Sequence, residues 1–178
     1  SITTAGGDVT LWADSDNNAA GYIYITGGSG SGITSGGGAI FLGGGADLAT
    51  GYARGSDEMD GVVALVHRGG IQLCANSSLL SSGGNITLRG QNAGLSTQYV
   101  HPGIISFGST IDAGSGKVAL YGKATGSGSA NAQGISREGN DNWIIRSSNA
   151  SADAIQLIGD ASGCVNSGTS LGVNFIGS

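Results

Sequence analysis

The chain has 178 residues, enough for one domain of ordinary size, with 36 glycines, a single proline and a net charge of −5. Glycine supplies roughly a fifth of it against about 7% in an average protein, yet it does not recur at every third position, which excludes collagen. Seven Lys and Arg argue against a nucleic-acid partner, and no apolar run of about 18 residues offers a membrane span. A disordered Gly/Ser tract is the remaining rival. The 39% hydrophobic content, gathered in short β-branched clusters, speaks against it.

The first element is GGDVTLWAD from Gly6, whose alternation sets Val9 and Leu11 on one face and Thr10 on the other. It runs into Asp14-Ser15-Asp16-Asn17-Asn18, with oxygen side chains at alternate positions like the start of a calcium loop. Such a loop requires Gly where Ala19 stands and a bidentate Glu where Ile25 stands. The segment is therefore expected to be a turn, bent by Asp and Asn bonding their own backbone, with Asp14, Asp16 and Asn18 left as weak cation candidates. The next strand is GYIYI from Gly21.

GGAIFLGGG from Gly37 repeats the first element, with Ile40 and Leu42 inward and Phe41 outward. ATGYARGSDEMDG follows, an irregular stretch read as a protruding loop, where Arg54 lies near Asp57, Glu58 and Asp60. GVVALV from Gly61 could supply a strand after it. Then come GIQL from Gly70, GGNITLRGQ from Gly83 with Ile86 and Leu88, and GIISF from Gly103. SGKVALYGK from Ser115 (Val118, Leu120), ADAIQLIGD from Ala152 (Ile155, Leu157) and GVNF from Gly172 complete the series.

Five of these segments share one pattern, and their leucines fall at positions 11, 42, 88, 120 and 157. No amphipathic helical run separates the strands, so a βαβ architecture is excluded. An antiparallel sandwich gives its strands no reason to resemble one another, whereas a solenoid stacks like residues above like. The expected fold is all-β, a β-solenoid or parallel β-helix. With each apolar segment counted as a coil there would be about ten coils, a rod of roughly 50 Å at about 4.8 Å per layer. On that count about five coils separate Cys74 from Cys164, too far for the roughly 7 Å a disulfide spans, so both are expected to be free thiols.

GGDVTLWADSDNNAAGYI, GGNITLRGQNAG and GKVALYGKATG resemble the repeat regions of filamentous-haemagglutinin-like large exoproteins, the secreted partners of two-partner secretion systems in Gram-negative bacteria. The likeness runs from Gly6 to about Gly159 and lies in repeat style, not in one invariant motif. It implies a right-handed parallel β-helix, export through an outer-membrane transporter to the extracellular side, and roles in adhesion, biofilm or contact-dependent toxin delivery. The amino-terminal secretion domain and carboxy-terminal toxin domain of such proteins are not evident, and Arg54-Gly55-Ser56-Asp57 is not the Arg-Gly-Asp tripeptide of some of these adhesins. Residues 1–178 read as a single solenoid segment, an internal section of a longer filament, because its end joined to its start makes another smooth pair of strands.

Solenoids also carry polysaccharide lyases and hydrolases, whose chemistry needs paired carboxylates, or a carboxylate with Arg or Lys, on one face. Only the region 52–60 gathers such groups, so a carbohydrate-active enzyme with its site there is the alternative. His67 and His101 each stand alone, and no catalytic residue, metal ligand or cofactor is expected. Asn76, Asn85 and Asn149 match the glycosylation acceptor pattern. Trp12, Tyr24, Phe41 and Tyr121 fall at outward positions, where they would either form a discontinuous adhesive strip or pack against loops. The expected function is that of a non-enzymatic rod, stalk, adhesin or filament segment in a large secreted or surface-attached bacterial protein. Its expected partners are a host or neighbouring-cell surface, glycans, or further copies of itself.

Overall fold

The computed structural model describes residues 1–16, 18, 21–55, 69–94, 101–127, 131–165 and 168–175. Among them there is no helix; short strands of β-branched and leucine residues alternate with turns rich in Gly, Ser and Asn. The first coil contains β1 (Ile2–Thr3), β2 (Val9–Ala13) and β3 (Ile23–Ile25). The second contains β4 (Gly32–Thr34), β5 (Ile40–Gly44), β6 (Ala53–Arg54) and β7 (Ile71–Leu73). The third has β8 (Ser78–Leu80), β9 (Ile86–Gln91) and β10 (His101–Ser106), and the fourth β11 (Thr110–Asp112), β12 (Val118–Ser127) and β13 (Ala132–Arg137). β14 (Ile144–Arg146), β15 (Ile155–Val165) and β16 (Ser170–Asn174) carry the chain round once more.

Each coil contributes one strand to each of three parallel sheets. Sheet I is β1-β4-β8-β11-β14, sheet II is β2-β5-β9-β12-β15 and sheet III is β3-β7-β10-β13-β16; β6 pairs with β9 beside sheet II. The protein is thus a parallel β-solenoid, as the repeats predict. The coil count is different. From β1 to β14 the chain completes four circuits, with β15 and β16 continuing round the next, because a coil comprises three strands where the count of ten took each strand for a coil. Five stacked layers at about 4.8 Å span about 24 Å, half the expected rod.

Register runs in columns through the stack. Val9, Ile40, Ile86, Val118 and Ile155 form one column of sheet II, and Leu11, Leu42, Leu88, Leu120 and Leu157 the next. Ile23, Ile71, Ile104, Ile135 and Val173 form the column of sheet III. Ile2, Ile33, Leu79, Ile111 and Ile145 form that of sheet I. These columns meet in one core, where the residues of the middle coils are fully buried. Each such side chain contributes about 1.5–3 kcal/mol relative to exposure. The five leucine segments of the sequence are therefore successive coils of sheet II, with Thr10, Phe41, Thr87, Ala119 and Gln156 outward as expected. The candidate strand GVVALV from Gly61 lies outside the described residues.

Past the leucine column, sheets II and III converge until backbone meets backbone. Gly90 lies against Gly103, Gly122 against Gly134 and Gly159 against Gly172, each with no room for a Cβ. Beyond this seam Ala124, Ala132 and Ala161 fill a second small core, with Cys164 packed on it. At the corner between sheets I and II a hydroxyl recurs: Thr4 Oγ1 donates to Gly7 O at 2.6 Å, Ser35 Oγ to Gly38 O at 2.5 Å and Ser81 Oγ to Gly84 O at 2.5 Å. Cys74 and Cys164 are both free thiols. Three coil steps separate them, not five, and even that rise of about 14 Å exceeds a disulfide's reach.

Candidate functional site

In the middle coils the outward side chains of sheet III, Gln72, Ile105 and Ser136, are buried. Sheet II presents the aromatic residues. Trp12 and Phe41, one coil apart, stack at 5.6 Å with a 20° interplanar angle. Both rings lie over Gly43, where a Cβ would stand 2.7 Å from Phe41 Cε1 and 3.0 Å from Trp12 Cζ3, so glycine is required for this close approach. The Trp12 indole N–H donates to Gly45 O at 2.8 Å. One column on, the Arg89 guanidinium lies 4.0 Å from the Tyr121 ring centroid and 5.8 Å from that of Tyr52.

Of the four aromatics proposed from the sequence, three thus share this face, and their rings are turned to a neighbour in the next coil. Tyr24 is apart from them. It lies on the sheet III edge, 37% exposed, and hydrogen-bonds Cys74; this bond, then burial and the nearby thiol, raises the phenol above its ordinary pKa. Sequence reasoning missed Arg89 and Tyr52, whose stacking depends on register between coils. The loop expected from Ala49 onward begins earlier, as an excursion over 45–52 between β5 and β6, and Arg54 at its end is in β6. Asp47 folds the excursion locally, accepting from Ala49 N and Thr50 Oγ1, each at 2.8 Å. These bonds, Ala49 first, hold the Asp47 carboxyl below the usual carboxylate range. Leu48 stands 66% exposed at the tip.

The polar candidates serve the architecture in the same way. Asn85 Oδ1 accepts from Lys117 N of the next coil at 2.9 Å, as Asp8 Oδ1 accepts from Ala39 N at 2.7 Å. Asn149 Nδ2 donates to Ser115 O of the coil before at 2.8 Å, and its Oδ1 accepts from Ser151 N at 2.9 Å. Asn76 is exposed in a turn with φ of 63°. Asp14 takes a φ of 55° as the chain leaves β2, and Asn18 Nδ2 donates to Asp16 Oδ2 at 2.8 Å; the described residues of this stretch turn as the sequence suggests, while Asn17 lies outside them.

Two features bear on catalysis. Arg54 lies on β6, while Asp57, Glu58, Asp60 and His67 lie outside the described residues, as does the side chain of His101. Among the described residues no three His, Cys, Asp or Glu side chains gather as a metal site would require. An open groove of about 580 Å³ crosses the corner of sheets III and I, lined by Asn76, Ser78, Thr110, Asn142 and, as its sole carboxylate, Asp141.

The fold and these contacts define the class: a parallel β-solenoid whose exposed polar and aromatic side chains link one coil to the next. Comparison with protein-family models, curated proteins and solved structures gives no match for this chain.

Proposed function

We propose that residues 1–178 are a non-enzymatic structural segment of a large secreted or cell-surface bacterial protein, serving as part of a rod, stalk or adhesin. The resemblance of its repeats to those of filamentous-haemagglutinin-like exoproteins supports this reading, with export through an outer-membrane transporter. The observation that carries it is where the chemistry-bearing side chains go. Trp12 stacks on Phe41, Arg89 on Tyr121, Asn85 bonds Lys117 and Asn149 bonds Ser115, each a contact between neighbouring coils. Such a design resists unravelling along the axis, because stability in a solenoid is a sum of coil and neighbour terms.

The test is immunogold labelling of intact, unpermeabilised source cells with antibody raised against this segment. The expected result is label on thin projections outside the cell. Label confined to the interior, or native material seen as compact particles in negative stain, would refute the reading.

A further inference from the structure

We propose that the groove across the corner of sheets III and I binds an uncharged stretch of a glycan chain, making this segment a point of contact with a cell surface; the proposal rests on the rod and adhesin reading above. The groove follows from unequal turns. Between sheets III and I the chain takes six residues leaving the first coil (26–31), four leaving the second (74–77), three leaving the third (107–109) and six leaving the fourth (138–143). The two short turns form a floor, and the long ones flank it as walls three layers apart, about 14 Å. Any coil before residue 1 or after residue 178 would stack outside those walls, so the recess belongs to the interior of the stack. Floor and walls are both tied down. Asn76 N donates to Gly108 O at 2.9 Å, Thr110 N to Ser77 O at 3.0 Å and Gly28 N to Ala75 O at 3.1 Å. Arg137 Nε and Nη2 donate to Asp141 O at 3.2 and 2.9 Å, and Asp141 leans over Gly108, which has no room for a Cβ beneath it. A site formed in advance loses little conformational freedom on binding.

The polar side chains of the recess are Ser29, Asn76, Asp141 and Asn142, all exposed, with Ser78 and Thr110 half-buried. Elsewhere such groups are spent on neighbouring coils, as Asn85, Asn92 and Asn149 are. Here none of these six side chains has a hydrogen-bond partner among the described residues. Together they offer both donors and acceptors, the complement of a ligand rich in hydroxyl groups. The volume of about 580 Å³ is that of a ligand site, but such sites are lined mostly by apolar side chains, whereas Ile144 is the single large apolar residue of this lining. Charge narrows the class. Among the described residues no Lys or Arg lines the groove, and Asp141 would repel an anion, so uncharged sugars fit where sulfated or sialylated ones do not. The lone carboxylate of this lining suits holding a chain, where cutting one needs a pair.

The test is a printed array of neutral oligosaccharides, with sulfated and sialylated chains alongside, probed with the whole 178-residue chain and followed by calorimetric titration of the best binder to millimolar concentration. Neutral chains should be retained over anionic ones. Asp141→Ala removes the carboxylate and keeps the backbone oxygen that Arg137 holds; Asn76→Gly removes the amide and suits the φ of 63° there. Each should weaken binding about tenfold or more. Asp16→Ala, on the turn after β2, should match the parent, with strand content of every variant verified by circular dichroism. Retention of no glycan, preference for sulfated or sialylated chains, or an affinity unchanged in either groove variant overturns the proposal. Label on thin projections outside the cell together with no glycan bound would refute the groove's role and leave the rod reading intact; glycan binding with label confined to the interior would do the reverse.

Discussion

Gly134→Ala tests the glycine seam directly. Gly134 is buried in β13 with ordinary backbone angles, so the replacement is opposed by contact alone. An added Cβ would stand 2.6 Å from Asp160 N, 2.6 Å from Gly159 Cα and 2.7 Å from Gly122 O, all backbone atoms that cannot rotate away. Ordinary carbon contacts begin near 3.5 Å, so β13 would have to retreat by about 0.8 Å while held in register by β10 and β16. Overpacking of this kind costs about 1–3 kcal/mol or more, against about 0.4–1 kcal/mol returned by the stiffer unfolded chain. A net loss of about 2 kcal/mol lowers the midpoint of a chain of this size by about 4–8 °C. The assay is thermal unfolding followed by circular dichroism, with Gly7→Ala as control, since a Cβ there finds nothing nearer than Thr4 Cβ at 3.8 Å. The control should match or slightly exceed the parent. If Gly134→Ala melts with or above Gly7→Ala, the close approach of sheets II and III is wrong.

Leu88→Ala, in the middle coil between Leu42 and Leu120, should cost about 2–5 kcal/mol in urea unfolding, since its neighbours in the column cannot close the cavity. Asn92 is fully buried, accepting from Thr125 N at 2.9 Å and donating to Thr125 O at 3.2 Å; Asn92→Ala should cost about 1–3 kcal/mol by stranding both groups, and a neutral result would remove that bridge. Burial raises the Glu138 carboxyl above its ordinary value of 4.5, so its contribution to stability is complete below the unfolded pKa and is lost as pH rises through the folded one. Glu138→Gln should therefore gain on the parent protein as pH is raised from acid to neutral, and a difference that stays flat with pH would contradict this.

Much of the fold was legible in the sequence because stacking repeats a chemical environment. Leu11, Leu42, Leu88, Leu120 and Leu157 occupy one column, so each answers to the same requirement, and the likeness shows in the residues themselves. Sheet I was illegible for the opposite reason. Its strands are two or three residues long and supply one inward apolar side chain each, too few for alternation to register. β13 escaped likewise, its Gly134-Ile135-Ser136 holding a single apolar residue at the column position. With one side of every coil missed, strands passed for coils and the stack came out twice too tall.

The site divides along the same line. Alternation within a strand is local, so the sequence by itself placed Trp12, Phe41 and Tyr121 outward, and Asp14 to Asn18 in a turn. What an outward side chain touches depends on the coil above or below, which is 31 to 48 residues away along the chain. Only the tertiary structure could set Trp12 on Phe41 and Arg89 on Tyr121, or bring Gly122 against Gly134. Periodicity sets which way a residue faces; register, fixed by loops of unequal length, decides which neighbour it meets.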